Sequence, residues 1–426
     1  MLRRAAIAAF LLLPAAARGA DDLPAWVLLL SRIKRHMREE LARLPDYTCL
    51  ETMQRYRRVP GGKPPLKQLD TVLLEVLYAG DKELYGSPGA RNFPNTDPSA
   101  FTGGGLSGTG MFGLHLNTLF VNENANIQYR GEEQLAGRRA ARFDYRVPLM
   151  LSGFTIHLVD GRGQVSTRGS FWSDPVTYDL LRLDVQVEDI PPSLPLISST
   201  QSIEYARTRI GEREVMLPQS AVLDMLQTSG EESRNLLEFT HCRSFAAESR
   251  ISFDAAPPDP SSSPATPARP SSEPPPLAAG LTVTVELTSR LDERAAVGSL
   301  VEARTASNVV EKGKVVVPAG AVVRGRIRRL EHYSDSGEYF TVGLEFTELE
   351  TAAGPVRFYA NLLSIDESGR VKLMLVRGLP DGPRQSGRRE EIWANYLPGV
   401  ASFFVTGARL DLPRGFRTVW KTKAAR

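Results

Sequence analysis

Along most of the chain, hydrophobic residues recur at every second position. Phe143, Tyr145 and Val147 alternate with Arg142, Asp144 and Arg146. Leu181, Leu183, Val185 and Val187 alternate with Arg182, Asp184, Gln186 and Glu188. Ile203 and Tyr205, Leu237 and Phe239, and Ile251 and Phe253 continue the pattern. A period of two turns apolar side chains to one face and charged ones to the other, as in half-buried antiparallel strands. Asp160-Gly161-Arg162-Gly163 and Asp174-Pro175-Val176-Thr177 supply turn chemistry between them. Residues 47–254 therefore read as one large antiparallel sheet.

Two stretches break this period. In 25–44, Trp26, Leu29, Leu30, Ile33, Met37, Leu41 and Leu44 recur at helical spacing, with Arg32, Lys34, Arg35, Arg38, Glu39 and Glu40 opposite. This predicts an amphipathic helix packed on the sheet, ended by Leu44-Pro45. Residues 87–113 are rich in glycine and proline and lead into a short apolar helix candidate at 111–121.

The alternation resumes at 281–287 and continues through 315–317, 322–330, 339–349, 356–362, 401–412 and 416–420. Asp335-Ser336-Gly337 marks a hairpin reversal. Arg324, Arg326 and Arg328 share one strand face, which reads as solvated. Between the two strand-rich regions lies a different composition: nine of the chain's 30 prolines fall between Pro257 and Pro276, among serine and alanine. Such a run cannot repay the entropy of ordering it and favours extended polyproline II. Its reach is up to roughly 60 Å. The division expected is a signal peptide (1–20), an antiparallel β domain (21–254), a disordered linker (255–280) and a second β domain (281–426).

Composition changes this picture little. With 42% hydrophobic and 24% charged residues in 426, the chain is ordinary globular protein, and a net charge of +3 gives no call for nucleic acid. Arg3 and Arg4, the apolar run 5–13 and the small residues after Pro14 have the order of a secretory signal. No later stretch is long and apolar enough to cross a bilayer, so no transmembrane helix is expected after cleavage. Export makes a Cys49–Cys242 disulfide the natural reading of the two cysteines, with two buried thiols as the alternative.

Motif chemistry is sparse. Gly108-Thr109-Gly110-Met111-Phe112-Gly113 fits G-x-G-x-x-G, but no apolar strand leads into it, so it reads as a loop. The five histidines are scattered, without metal-ligand spacing. No nucleophile and base can be placed together from sequence. The expectation is a non-catalytic protein without metal or cofactor, a secreted hydrolase being the minority alternative.

The leading helix, the run of strands, Gly137-Arg138-Arg139-Ala140-Ala141-Arg142-Phe143-Asp144-Tyr145 and Phe171-Trp172-Ser173-Asp174-Pro175 resemble the LolA/LppX family of periplasmic lipid carriers. The resemblance covers roughly 23–254. It implies a curved, unclosed half-barrel sheet, covered by helices, with an apolar cavity for acyl chains. The inward face it suggests is Phe143, Tyr145, Val147, Phe171, Trp172, Leu181, Leu183, Ile203 and Tyr205. Residues 315–327, Val-Val-Val-Pro-Ala-Gly-Ala-Val-Val-Arg-Gly-Arg-Ile, are similar to a strand pair in the C-terminal β-barrel of TrbI-type secretion proteins. That likeness, over 281–363, implies a small envelope-associated barrel. The fold class expected is thus mainly β. The function expected is an exported envelope protein, periplasmic or extracellular and peripheral to the outer membrane. It would bind a lipid or lipidated partner through its first domain and an envelope protein through its second. A structural or assembly protein with filled cores is the alternative.

Overall fold

A computed structural model describes residues 23–94, 98–102, 110–158, 161–245, 274–335, 337–367, 370–373 and 400–424. The signal-like region, Ile251, Phe253, most of the proline-rich run and the loop 380–389 lie outside the described residues. The fold is mainly β, as the alternation requires.

Helix α1 (Ala25–Ala42) opens the described chain and buries Ile33 and Met37. Strands β1 (Tyr47–Arg58), β2 (Lys67–Ala79) and β3 (Lys82–Gly86) follow. Next come the short helices α2 (Ser99–Thr102) and α3 (Leu114–Leu116), the latter running into a π-helical turn, Asn117–Val121. Strands β4 (Asn126–Leu135) and β5 (Arg138–Val147) lead to the one-turn helix α4 (Leu149–Ser152). A small hairpin, β6 (Thr155–Leu158) and β7 (Gly161–Gln164), precedes β8 (Ser166–Ser173) and β9 (Leu180–Glu188). Three long strands complete this half: β10 (Leu196–Ile210), β11 (Arg213–Gln227) and β12 (Glu232–Ser244).

Among the described residues these strands form a ten-stranded sheet in the order β3-β2-β1-β12-β11-β10-β9-β8-β5-β4. The neighbours pair antiparallel, for example Met53 with Leu237 and Phe143 with Phe171. Its end strands, β3 and β4, do not pair with each other, so the sheet is open. The chain enters the sheet at β1, third from one end, and returns beside it at β12, and there Cys49 and Cys242 are joined by a disulfide. That cross-link spans 193 residues and ties the start of the sheet to its last strand.

The C-terminal half contributes β13 (Thr282–Leu287), β14 (Leu291–Asp292), β15 (Leu300–Thr305) and the hairpin β16 (Val309–Glu311) and β17 (Lys314–Val317). Then come β18 (Val322–Tyr333), β19 (Tyr339–Thr351), β20 (Gly354–Arg357), β21 (Ala360–Ile365) and β22 (Val371–Leu373). The last strands are β23 (Ala401–Thr406), β24 (Asp411–Leu412) and β25 (Arg417–Thr422). The main sheet here, of half-barrel form, runs β21-β25-β13-β15-β18-β19-β23-β22. Two expected strands are broken: 356–362 divides at Phe358 and Tyr359, and 401–412 divides after Thr406. On either side of the expected reversal, β18 and β19 do pair antiparallel, Tyr333 opposite Tyr339.

The two halves touch. Val297 bridges β2 in parallel fashion, its N–H donating to Thr71 O at 2.9 Å while Leu73 N–H donates to Val297 O at 2.8 Å. This covers a stretch of β2 edge that β3 leaves unpaired. Gly298 is required there: its φ is +92°, and a Cβ would lie 2.3 Å from Leu73 O. The arginine face of β18, expected to be solvated, is so only at Arg324, whose side chain is partly exposed and pairs with Glu348 and Glu350. Arg326 donates to Gly298 O at 2.7 Å and to Pro88 O at 2.9 Å. Arg328 pairs with Glu345 and lies over the Phe101 ring. The reason is tertiary, because these two meet loops of the first half that sequence alone cannot bring near.

Candidate functional site

The alternation along β5, β8, β9 and β10 delivers one continuous apolar face. Phe143, Tyr145, Val147, Phe171, Leu183, Ile203 and Tyr205 all lie buried in the main core. Phe143 stacks on Phe171 with ring centroids 5.0 Å apart. Tyr145 donates to Asp184 O at 3.0 Å, passing beside Gly169, where any side chain would collide with that carbonyl.

Two residues grouped with these from sequence lie elsewhere. Trp172 follows Phe171 in the same strand, so the pleat turns it to the opposite face. There it packs with Ala140, Leu181 and Leu135, between the guanidinium groups of Arg142 and Arg182. Leu181 joins it because the register between β8 and β9 shifts at Trp172/Ser173, where Ser173 pairs with Leu180. The bulge moves Leu181 out and Leu180 in.

The inner face is roofed by α1 and by the segment Gly110–Val121. The helix presents Ile33 and Met37 to the core and is moored by its polar flank. His36 Nε2 lies 2.9 Å from Asp179 Oδ1, and Arg207 reaches the same carboxylate at 2.7 and 3.0 Å. Burial alone would raise the Asp179 carboxyl, but the hydrogen bonds from Arg207 and His36 outweigh it and hold the group below the usual carboxylate range. The second roof element presents Met111, Phe112, Leu116, Leu119 and Phe120, all buried. Phe112 meets Phe239 edge-on at 4.8 Å, and Phe120 meets Phe171 at 5.2 Å. Tyr205 donates to Met111 O at 3.0 Å. Sequence predicts one helix over 111–121; the structure has a single α turn and a π turn, a widened coil that sets Leu119 and Phe120 on the sheet.

Under this roof lies a group of polar side chains that the sequence reading missed. Glu83 accepts from Gly110 N–H at 2.8 Å, Phe112 N–H at 2.9 Å and the Tyr85 hydroxyl at 3.0 Å, and so anchors the turn that begins the segment. Glu51, on β1, is fully buried, and neither of its carboxyl oxygens has a hydrogen-bond partner among the described residues. The Tyr47 hydroxyl, on the same face of β1, is in the same condition. Burial, reinforced by Glu83, pushes the Glu51 carboxyl up to about 8, so it is largely protonated at neutral pH. His115 contacts Gln201 at 3.1 Å, and burial brings its ring down to about 4, leaving it neutral. The signal for Glu51 was present in the pattern: Tyr47, Cys49, Glu51, Met53 and Arg55 form the inward set of β1, and a glutamate among them is out of place. Among the described residues no group of three or more His, Cys, Asp or Glu side chains is placed to hold a metal ion. No helix of the described residues is long and apolar enough to cross a membrane.

Comparison with solved structures gives likenesses of fold. An outer membrane lipoprotein-sorting protein domain from Vibrio parahaemolyticus is similar over 50% of this chain and 92% of its own, at 13% identity and a TM-score of 0.29. A LolA superfamily protein from Nitrosomonas europaea covers 51% of this chain and 94% of its own, at 11% identity and a TM-score of 0.25. ComB10 of the Com type IV secretion system of Helicobacter pylori covers 34% of this chain and 86% of its own, at 14% identity and a TM-score of 0.18. No protein-family model matches the sequence, and no curated protein matches it.

Proposed function

We propose that this chain is an exported, non-catalytic protein of the cell envelope that binds an apolar ligand on the inner face of its ten-stranded sheet. The ligand is a lipid, or the lipidated or apolar segment of a partner. The reading rests on one observation: a wide apolar face on an open sheet is covered by a helix and a twelve-residue segment rather than by a second sheet. The covering pieces are held by side-chain contacts and a few hydrogen bonds, not by a strand ladder, so they exchange for ligand at far lower cost than a strand would. The disulfide supports an oxidising compartment, periplasmic or extracellular. In this reading 21–254 and 281–426 are two domains joined by 255–280, with the second serving as the docking module for an envelope protein.

The test is native mass spectrometry of the protein purified from its own host, followed by organic extraction. A reproducible added mass that extracts as lipid is the expected result. A bare mass from every preparation, with no binding of added lipid, would sink the carrier reading. It would favour the second one, an assembly protein with filled cores, which the close packing of Phe112 and Phe120 against the sheet supports.

A further inference from the structure

The inner face is not uniformly apolar, and its polar part has a definite sign. Glu83 holds the turn that starts at Gly110 and accepts from the Tyr85 hydroxyl, and the fully buried Glu51 lies near enough to Glu83 to feel its charge. Among the described residues neither glutamate is hydrogen-bonded or ion-paired to a lysine, arginine or histidine. Arg55, on the same face of β1, is committed to Asp70 at 2.7 Å. His115 is neutral and committed to Gln201. The roof satisfies only one of the two acids: its backbone N–H groups serve Glu83, and among the described residues nothing serves Glu51. Buried polar groups in folded proteins are nearly always bonded, so a fully buried carboxyl with neither oxygen bonded points to a missing partner.

We infer that the ligand of this face carries a hydrogen-bond-donating head, an amine or a hydroxyl, which seats on Glu51, and that anionic heads are rejected. This rests on the carrier reading and narrows it. An ammonium head offers three donors and an alcohol offers one donor and an acceptor, so either completes the carboxyl. A carboxylate or phosphate head would bring a negative charge beside two buried carboxyl groups, where the described residues offer it no cation.

The experiment is calorimetric titration of the full mature protein, stripped of bound lipid, with dodecylamine, dodecan-1-ol and dodecanoate at neutral pH. The three probes share a tail and differ only in the head. Dodecylamine and dodecan-1-ol are expected to bind at least about tenfold more tightly than dodecanoate, the scale of one hydrogen bond to a charged group. Glu51→Gln, which keeps the shape and gains N–H donors, is expected to bring the three affinities within about twofold to threefold of one another. Glu51→Asp, which keeps the carboxyl and guards against misfolding of the first variant, is expected to leave dodecanoate the weakest of the three probes. Equal affinity for all three probes, or a preference for dodecanoate, overturns the head-group inference and leaves the carrier reading standing. Failure of every probe to bind overturns both.

Discussion

Glu51 gives the N-terminal sheet an unusual dependence on pH. Its carboxyl is raised from the ordinary range to about 8, so across that window the folded chain keeps a proton that the unfolded chain has released. Stability contributed at this position therefore falls as pH rises between those two values, and the loss is complete above the upper one. Glu51→Gln removes the ionisation while keeping the volume. It should raise the unfolding free energy read from urea titration at pH 8 by an amount on the order of a few kcal/mol, with little change near pH 5. An unchanged difference between those two pH values would show that Glu51 is not the group responsible. Glu83, also raised by burial, leaves a residual slope in the variant. The same residue scale shows why one candidate belongs to a different surface: Trp172 is as apolar as Phe171, and only the pleat of β8 separates them.

At the scale of elements, the decisive pieces are the two that form the roof. α1 reads as an amphipathic helix in sequence and is one, but its mooring through His36 to Asp179 joins residues 143 positions apart. The Gly110–Val121 segment is too short and too glycine-flanked to be stable alone, and it takes its shape from the sheet beneath. Phe120 is fully buried against Phe171. Phe120→Ala should cost about 3–5 kcal/mol in denaturant unfolding if the segment is part of the folded core. A loss below about 1 kcal/mol would mean that the segment spends much of its time off the sheet.

At the scale of the whole molecule, the two halves meet through backbone as well as side chains. The Val297 bridge to β2 is reinforced by buried charge: Arg55 pairs with Asp70, while Arg329 and the Tyr333 hydroxyl both donate to Glu331 on the facing strand. Arg57 adds a pair with Asp335 and lies 4.9 Å from the centre of the Tyr333 ring. Such a contact couples the unfolding of the halves. Scanning calorimetry of the intact protein should show one dominant transition, and Gly298→Val, which drives a side chain into Leu73 O, should split it into two. A single unshifted transition in the variant would mean that the bridge contributes nothing to coupling. Arg326 and Arg328, which hold the carbonyls of Pro88 and Ala100, bring the C-terminal half against the loop that leads to the roof.

The class of the molecule is legible in the sequence, because strand alternation and helical spacing are local and survive any arrangement of the pieces. So are the leading helix, the strands of clear alternation such as β5, β9 and β18, and the reversal between β18 and β19, since period and turn chemistry need no tertiary knowledge. The two cysteines are open in sequence to a disulfide or to two buried thiols, and the sheet sets them side by side. Which glutamate is stranded inside and which arginines are spent on docking follows from tertiary contacts alone. So does the placing of the glycine-flanked segment on the apolar face. Each depends on contacts between residues far apart in the chain, and burial, which shifts Glu51 and neutralises His115, is a property of the packed whole. Adjacent residues such as Phe171 and Trp172 part company for the same reason: hydrophobicity says that a side chain will be buried, and the sheet's register says on which side.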